Sequence, residues 1–150
     1  MKTHIPCGRD RLPLALPDGA HVLHPPPATP LPDPAGATAE ALRRPVGCPP
    51  LREMAAGRRR ACIVVSDVTR PVPYTTLLPP LLAALVGVVP EITFLVATGT
   101  HRPSTDAEKI EMLGADVVSR FPVVDHDSRD PAQLQTLPGR TSSGAAVRIN

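Results

Sequence analysis

Two polar stretches of the chain hold the residue types that could bind or turn over a small molecule: Ser66-Asp67-Val68-Thr69-Arg70-Pro71 and Thr98-Gly99-Thr100-His101-Arg102-Pro103. In the first, Arg70 offers a planar fork suited to a carboxylate or a phosphate, and the flanking prolines keep the loop stiff. Asp67 and Thr69 are short polar residues able to bond backbone amides and hold the loop open. An equal reading of the same stretch is an ion pair between Asp67 and Arg70 that ties the loop to its neighbour. In the second stretch Thr98 and Thr100 supply hydroxyls, and Gly99 permits close backbone approach. His101 is the one side chain there able to exchange protons near neutral pH. A lone histidine is usually structural, but one on a Gly/Thr loop opposite an arginine is a site candidate. A third stretch, Asp125-His126-Asp127-Ser128-Arg129-Asp130, could hold a cation. Two carboxylates and one imidazole define no metal geometry, so a hydrogen-bonded loop is the simpler reading.

The first two stretches each follow a short apolar run, Ala61-Cys62-Ile63-Val64-Val65 and Ile92-Thr93-Phe94-Leu95-Val96-Ala97. Runs of this kind without alternation predict strands buried on both faces, as in a parallel sheet covered by helices. Ligands collect at the carboxyl ends of such strands. The fold class expected is therefore α/β, a Rossmann-like, mostly parallel sheet flanked by helices. Leu77, Leu78, Leu81, Leu82, Leu85 and Val86 have helical spacing for a face packed on a sheet. Pro79 and Pro80 interrupt it, so the regular helix is predicted to begin near Pro79 and to stop at Gly87. Thr105 and Glu108 form a capping box that opens a helix running to about Leu113, with Gly114 as its stop. A helical turn over Asp116 to Arg120, a third strand over Pro122 to Asp125, and a hairpin of Leu134–Leu137 with Ala145–Ile149 complete the chain.

Twelve of the 21 prolines fall in the first 60 residues. The chain divides on this reading into 1–60, a proline-rich hairpin and connector packed on the domain, and 61–150, the α/β core. Leu12–Leu16 and Ala20–Leu23 are predicted to pair around Pro17-Asp18-Gly19, with proline confining the hairpin to an edge. Pro25 to Gly36 reads as an extended connector. Thr38 to Arg44 is a short helix candidate with Thr38 as N-cap, and Pro50 to Ala56 another, closed by Gly57. His21 and His24 lack carboxylate or cysteine company and read as surface residues.

A chain of 150 residues bounds the answer to one core. Its 42% hydrophobic and 2% aromatic content makes that core aliphatic. A net charge of +2 points to no nucleic-acid or membrane partner, and Arg58-Arg59-Arg60 reads as a solvated run. Cys7, Cys48 and Cys62 lack zinc spacing, and Cys62 within a buried strand would act as a small hydrophobe. Met1 to Pro6 has no apolar core of signal-peptide length, and no stretch is long enough to span a bilayer, so a cytoplasmic setting is expected.

Taken together, the stretches at 66–73, 97–102 and 125–130 resemble the amino-terminal domain of the nickel-dependent lactate racemase family. Gly8-Arg9-Asp10 and Pro45-Val46-Gly47-Cys48-Pro49 are similar as well. The resemblance implies a 2-hydroxy-acid racemase or epimerase that uses a nickel-pincer nucleotide held between two α/β domains, of which this chain is the first. Asp67, Thr69, Arg70, Thr98 and Gly99 would then bind the cofactor phosphate or the substrate carboxylate. His101 would be one of two histidines working on the substrate hydroxyl. The family's cofactor lysine, nickel histidine and second catalytic histidine lie in the carboxy-terminal domain, which is absent here. No metal ligand and no nickel-pincer nucleotide are expected on this chain alone. Only Lys2 and Lys109 are available, and Lys109 is placed on the outer part of its helix. The rival reading is a non-catalytic α/β module that binds a phosphorylated nucleotide or a small carboxylate.

Overall fold

The two apolar runs are strands, and they pair with each other in parallel. The computed structural model describes residues 2–8 and 10–149, which fall in two units, 1–30 and 31–150. The larger unit is built on a three-stranded parallel sheet of β3 (Arg60–Ser66), β4 (Glu91–Ala97) and β5 (Val123–Asp125), in the order β3-β4-β5. Helix α3 (Tyr74–Leu85) connects β3 to β4. Helices α4 (Asp106–Leu113) and α5 (Ala115–Arg120) connect β4 to β5. Because the strands follow one another in a single direction, right-handed crossovers put all three helices on the same face. Helices α1 (Pro34–Arg43) and α2 (Leu51–Ala55) pack in turn against α3.

One-sided coverage overturns the expectation of strands buried on both faces. Val65, Ile92, Phe94 and Val96 are buried beneath the helices, with Phe94 and Val96 fully enclosed. The alternate positions are not: Cys62 is exposed, Val64 is 63% exposed and Val124 51% exposed. Apolar composition alone does not distinguish a covered face from an open one. The core is aliphatic apart from one aromatic contact, Phe94 against Phe121, with ring centroids 5.9 Å apart and the Arg120 guanidinium over the Phe121 ring.

Helix α3 begins at Tyr74, not near Pro79, and carries both prolines inside it. An interior proline costs about 3 kcal/mol relative to alanine. Here the cost is offset by burying Tyr74, Leu78, Leu82 and Leu85, spaced along one face of the helix. The N-cap of α1 is Asp33, whose carboxylate accepts from Gly36 N at 2.8 Å, and Pro34 opens the helix. That pair outcompetes Thr38, which lies inside the helix and donates its hydroxyl to Pro34 O. The capping box at Thr105 and Glu108 and the stop at Gly114 are where the sequence puts them. After a 3-10 turn at Pro131–Gln133, β6 (Gln135–Arg140) and β7 (Ala146–Ile149) form the closing hairpin. Its register shifts between Thr136 and Arg140, where Pro138 cannot donate to the ladder.

The smaller unit holds a hairpin in a different register from the one expected. β1 (Lys2–Cys7) pairs with β2 (Asp10–Ala15), Lys2 opposite Ala15 and Cys7 opposite Asp10. Gly8, at φ 59°, follows β1. Pro17-Asp18-Gly19 does turn, with Ala20 N donating to Pro17 O, but residues 20–23 form no strand. Leu12 to Ala15 already have their partner on the amino-terminal side.

The open sheet face has a chemical signature. With Cys7 and Cys48 replaced by serine, Cys62 is expected to react with a thiol reagent in the native state nearly as fast as in denaturant. Protection until unfolding, as for a cysteine in a covered strand, would contradict the one-layered sheet.

Candidate active site

The parallel register sets Ser66 beside Ala97 at the carboxyl ends of β3 and β4. The loops that follow therefore start side by side, and they meet through two side chains. Asp67 is buried. Its Oδ1 accepts from the Thr69 hydroxyl at 2.6 Å and from Thr69 N at 3.3 Å. Its Oδ2 lies 2.5 Å from His101 Nδ1. The hydrogen bonds from Thr69 and then His101 outweigh burial and hold the Asp67 carboxyl below its ordinary value. An ionised carboxylate only accepts, so Nδ1 of His101 carries the proton, and in the neutral ring Nε2 is left as an acceptor. The His101 side chain is about half exposed, at 52%.

The loop geometry behind this pair is set by a residue that sequence reasoning did not single out. The Tyr74 hydroxyl accepts from Ser66 N at 2.5 Å and donates to Ser66 O at 3.3 Å. It ties the end of β3 to the first turn of α3 and so fixes where Asp67 starts. Being the only tyrosine in the chain, at the head of an apolar helix, was the available signal.

A cleft of about 280 Å³ opens beside the pair, lined by Asp67, Val68, Thr69, His101, Arg102 and Glu108 among others. Arg102 is not free within it: its Nη2 and Nη1 donate to Glu108 Oε1 and Oε2 at 2.6 and 2.8 Å. Glu108 is the capping residue that the sequence predicts. It does that work and also grips Arg102, and the two together pull its carboxyl down to about 2.

The other candidates divide. Arg70 is exposed and makes no side-chain hydrogen bond or ion pair among the described residues, so the Asp67–Arg70 pair is not formed. The oxygens of Asp67 belong to Thr69 and His101. Thr98 is 2% exposed, and its hydroxyl donates to His126 O at 2.6 Å, which makes it a pin between loops. Gly99 has φ 58° and open space around it. Glycine suits the left-handed backbone there. The third loop does not gather its acids around His126. Asp127 Oδ1 accepts from Arg129 N at 2.9 Å. Asp125 faces away, with Lys109 Nζ 2.6 Å from its Oδ2. Lys109 is thus turned inward, only 14% exposed, and not on the outer part of α4. The apolar positions of α4 gave no hint that its lysine reaches β5.

The parallel α/β unit thus places a carboxylate–imidazole pair beside a cleft at its strand ends. Residues 7–150 match the family described as the lactate racemase N-terminal domain, and the chain belongs to that family. It is 40% identical over 113 residues to the lactate racemase of Lactiplantibacillus plantarum, covering 74% of this chain and 26% of that protein. Over 112 residues it is 36% identical to the lactate racemase of Thermoanaerobacterium thermosaccharolyticum, covering 73% and 26%. The solved apoprotein structure of lactate racemase from the latter organism superposes with a TM-score of 0.74 at 30% identity, over 100% of this chain and 36% of that one. The chain spans about a quarter of the length of the curated relatives it matches.

The Arg102–Glu108 fork can be read by titration. A folded value of about 2 against an ordinary 4.5 means that the contribution of Glu108 to stability is fully present above pH ~4.5 and is lost as pH falls toward ~2. Carbon-13 titration of the Glu108 carboxyl is expected to show a midpoint near 2. Arg102→Ala should return it toward 4.5. A midpoint near 4.5 in the unaltered chain would mean that solvent screens the pair.

Proposed function

We propose that this chain is the amino-terminal, Rossmann-like domain of a cytoplasmic 2-hydroxy-acid racemase or epimerase, and that His101 moves the proton of the substrate hydroxyl. The observation that carries the proposal is the short contact between His101 Nδ1 and the buried Asp67 beside an open cleft. An acceptor Nε2 directed by a carboxylate on Nδ1 is suited to take a hydroxyl proton, and Asp67 would stabilise the imidazolium that results. Returning the proton from Nε2 in the opposite direction makes the same residue a general acid. Asp67 is a poor anion ligand in this setting, because it is ionised and already shared between Thr69 and His101. Anion binding falls instead to Arg70, whose fork has no internal partner and matches a carboxylate or phosphate.

The family resemblance adds a nickel-pincer nucleotide, which when bound would supply the hydride acceptor for the substrate Cα hydrogen. The donor set on this chain fits the anionic end of such a nucleotide through Arg70. It does not fit the metal: among the described residues no three His, Cys, Asp or Glu side chains are grouped to hold an ion. By the family resemblance, nickel retention and turnover are assigned to the complete racemase, and this chain alone is proposed to be inactive. The rival, a non-catalytic module for a phosphorylated nucleotide or small carboxylate, shares the Arg70 site and differs in giving His101 no role.

His101→Ala in the complete racemase is expected to lower turnover by ~100- to 10,000-fold, the usual loss for a positioned base, while nickel content stays unchanged. Turnover is measured from each enantiomer separately. Unchanged rates from both would remove His101 from the mechanism and favour the binding module. Arg70→Lys keeps the charge but loses the fork, and should weaken substrate or cofactor retention by ~10-fold, about 1.4 kcal/mol. A silent substitution would return Arg70 to the solvated surface.

A further inference from the structure

We infer that Asp125 is the positioning residue for the His101 loop, an inference that rests on the proposed role of His101. The loop at 98–105 has no regular structure. Besides the His101–Asp67 contact and the bonds of Arg102 and Thr105 to Glu108, it is fixed from the third strand and the loop after it. At the amino end, Thr98 Oγ1 donates to His126 O at 2.6 Å. In the middle, Arg129 Nη2 reaches Thr100 O at 3.4 Å, a long and weak bond. At the carboxyl end, Ser104 N donates to Asp125 Oδ1 at 3.0 Å. This last anchor is charge-assisted, as are the bonds that Glu108 accepts from Arg102 and Thr105. It is the one that ties the carboxyl end of the loop to a carboxylate of the third strand.

The second oxygen of Asp125 explains why the carboxylate stays put. Lys109 Nζ sits 2.6 Å from Oδ2, and the two side chains are 14% and 11% exposed. The same ammonium reaches Val123 O at 3.4 Å. Lys109 lies one turn into α4, the helix that the loop feeds. Asp125 therefore accepts from the end of the loop on one oxygen and from the following helix on the other. Burial opposes its charge, and the bonds from Lys109 and Ser104 prevail, so its carboxyl lies below the ordinary value. Loosening the carboxyl end of the loop frees the segment that holds His101 against Asp67. Misplacements of about 1 Å can cost on the order of 100-fold in rate.

The test reads His101 directly in the 150-residue chain, by the nitrogen-15 shifts of its imidazole. In the unaltered chain Nδ1 is expected at a protonated shift and Nε2 at an unprotonated one. Asp125→Ala should average the two toward a mixture of tautomers, with the methyl signals of Val65 and Val96 showing that the core persists. If that variant does not fold, Lys109→Met/Asp125→Leu takes its place, since apolar replacement of a buried pair is often neutral for stability. Lys109→Met alone keeps the Ser104 bond but loses the contact that steadies Oδ2, and should lower the thermal midpoint while shifting the His101 signals less than Asp125→Ala does. Unchanged shifts when Asp125 is removed would overturn the inference. So would an equal effect from Lys109→Met, which would make the pair a brace and not a positioner. In the complete racemase, removing Asp125 should lower kcat by about 100-fold with KM little changed. Averaged shifts with unchanged turnover would support positioning by Asp125 while rejecting the role of His101.

Discussion

The register between β3 and β4 is the constraint on which the site depends. Side chains alternate across a sheet, so a slip of one residue would exchange Phe94 and Val96 for Thr93 and Leu95 beneath the helices. Full burial of Phe94 and Val96 makes that slip costly. The same register places Ser66 opposite Ala97, and only then do the loops after them begin close enough for Asp67 to reach His101. Tyr74 adds the second condition by fastening the last residue of β3 to α3. Packing in the core and geometry in the cleft are thus set by one choice of pairing.

The strand–loop–helix order was legible because each signal was local. Short β-branched runs, the capping box at Thr105 and Glu108, and the stop at Gly114 all rest on residues within one turn of the feature they specify. The errors arose where a second element decides. Pro79 and Pro80 look like the start of a helix, yet buried Leu78, Leu82 and Leu85 carry the helix back to Tyr74. Leu12 to Ala15 were expected to pair forward, and a strand on their amino-terminal side takes them. The continuous apolar run of β3 suggested two covered faces, whereas coverage depends on where the crossovers place their helices.

The site followed the same rule. Asp67, Thr69 and His101 were recognisable as functional types in their loops, and the structure brings those three together. Their division of labour was not readable, because the partner of Asp67 stands 34 positions away, while Arg70, only three residues on, is not its partner. Lys109 looked like a solvated helix lysine for a similar reason. The residue that turns it inward is Asp125, on another strand.

Charge accounting around the cleft gives these contacts a common sense. Asp67 is taken up by Thr69 and His101, Glu108 by Arg102, and Asp125 by Lys109 and Ser104. Each of these carboxylates has its negative charge matched by donors within the fold, and each is held below its ordinary value by them. Arg70 is the exception among the charged candidates, since nothing among the described residues neutralises its fork. With His101 neutral, the charges of Asp67, Glu108 and Asp125 are balanced in number by those of Arg70, Arg102 and Lys109, and Arg70 is the cation among them without an internal partner among the described residues. Under the proposed function it is this unpaired fork, and not a net charge, that would favour a carboxylate or phosphate. On the same proposal, a 2-hydroxy acid held by that fork would offer its hydroxyl to an imidazole whose Nδ1 is already engaged by Asp67.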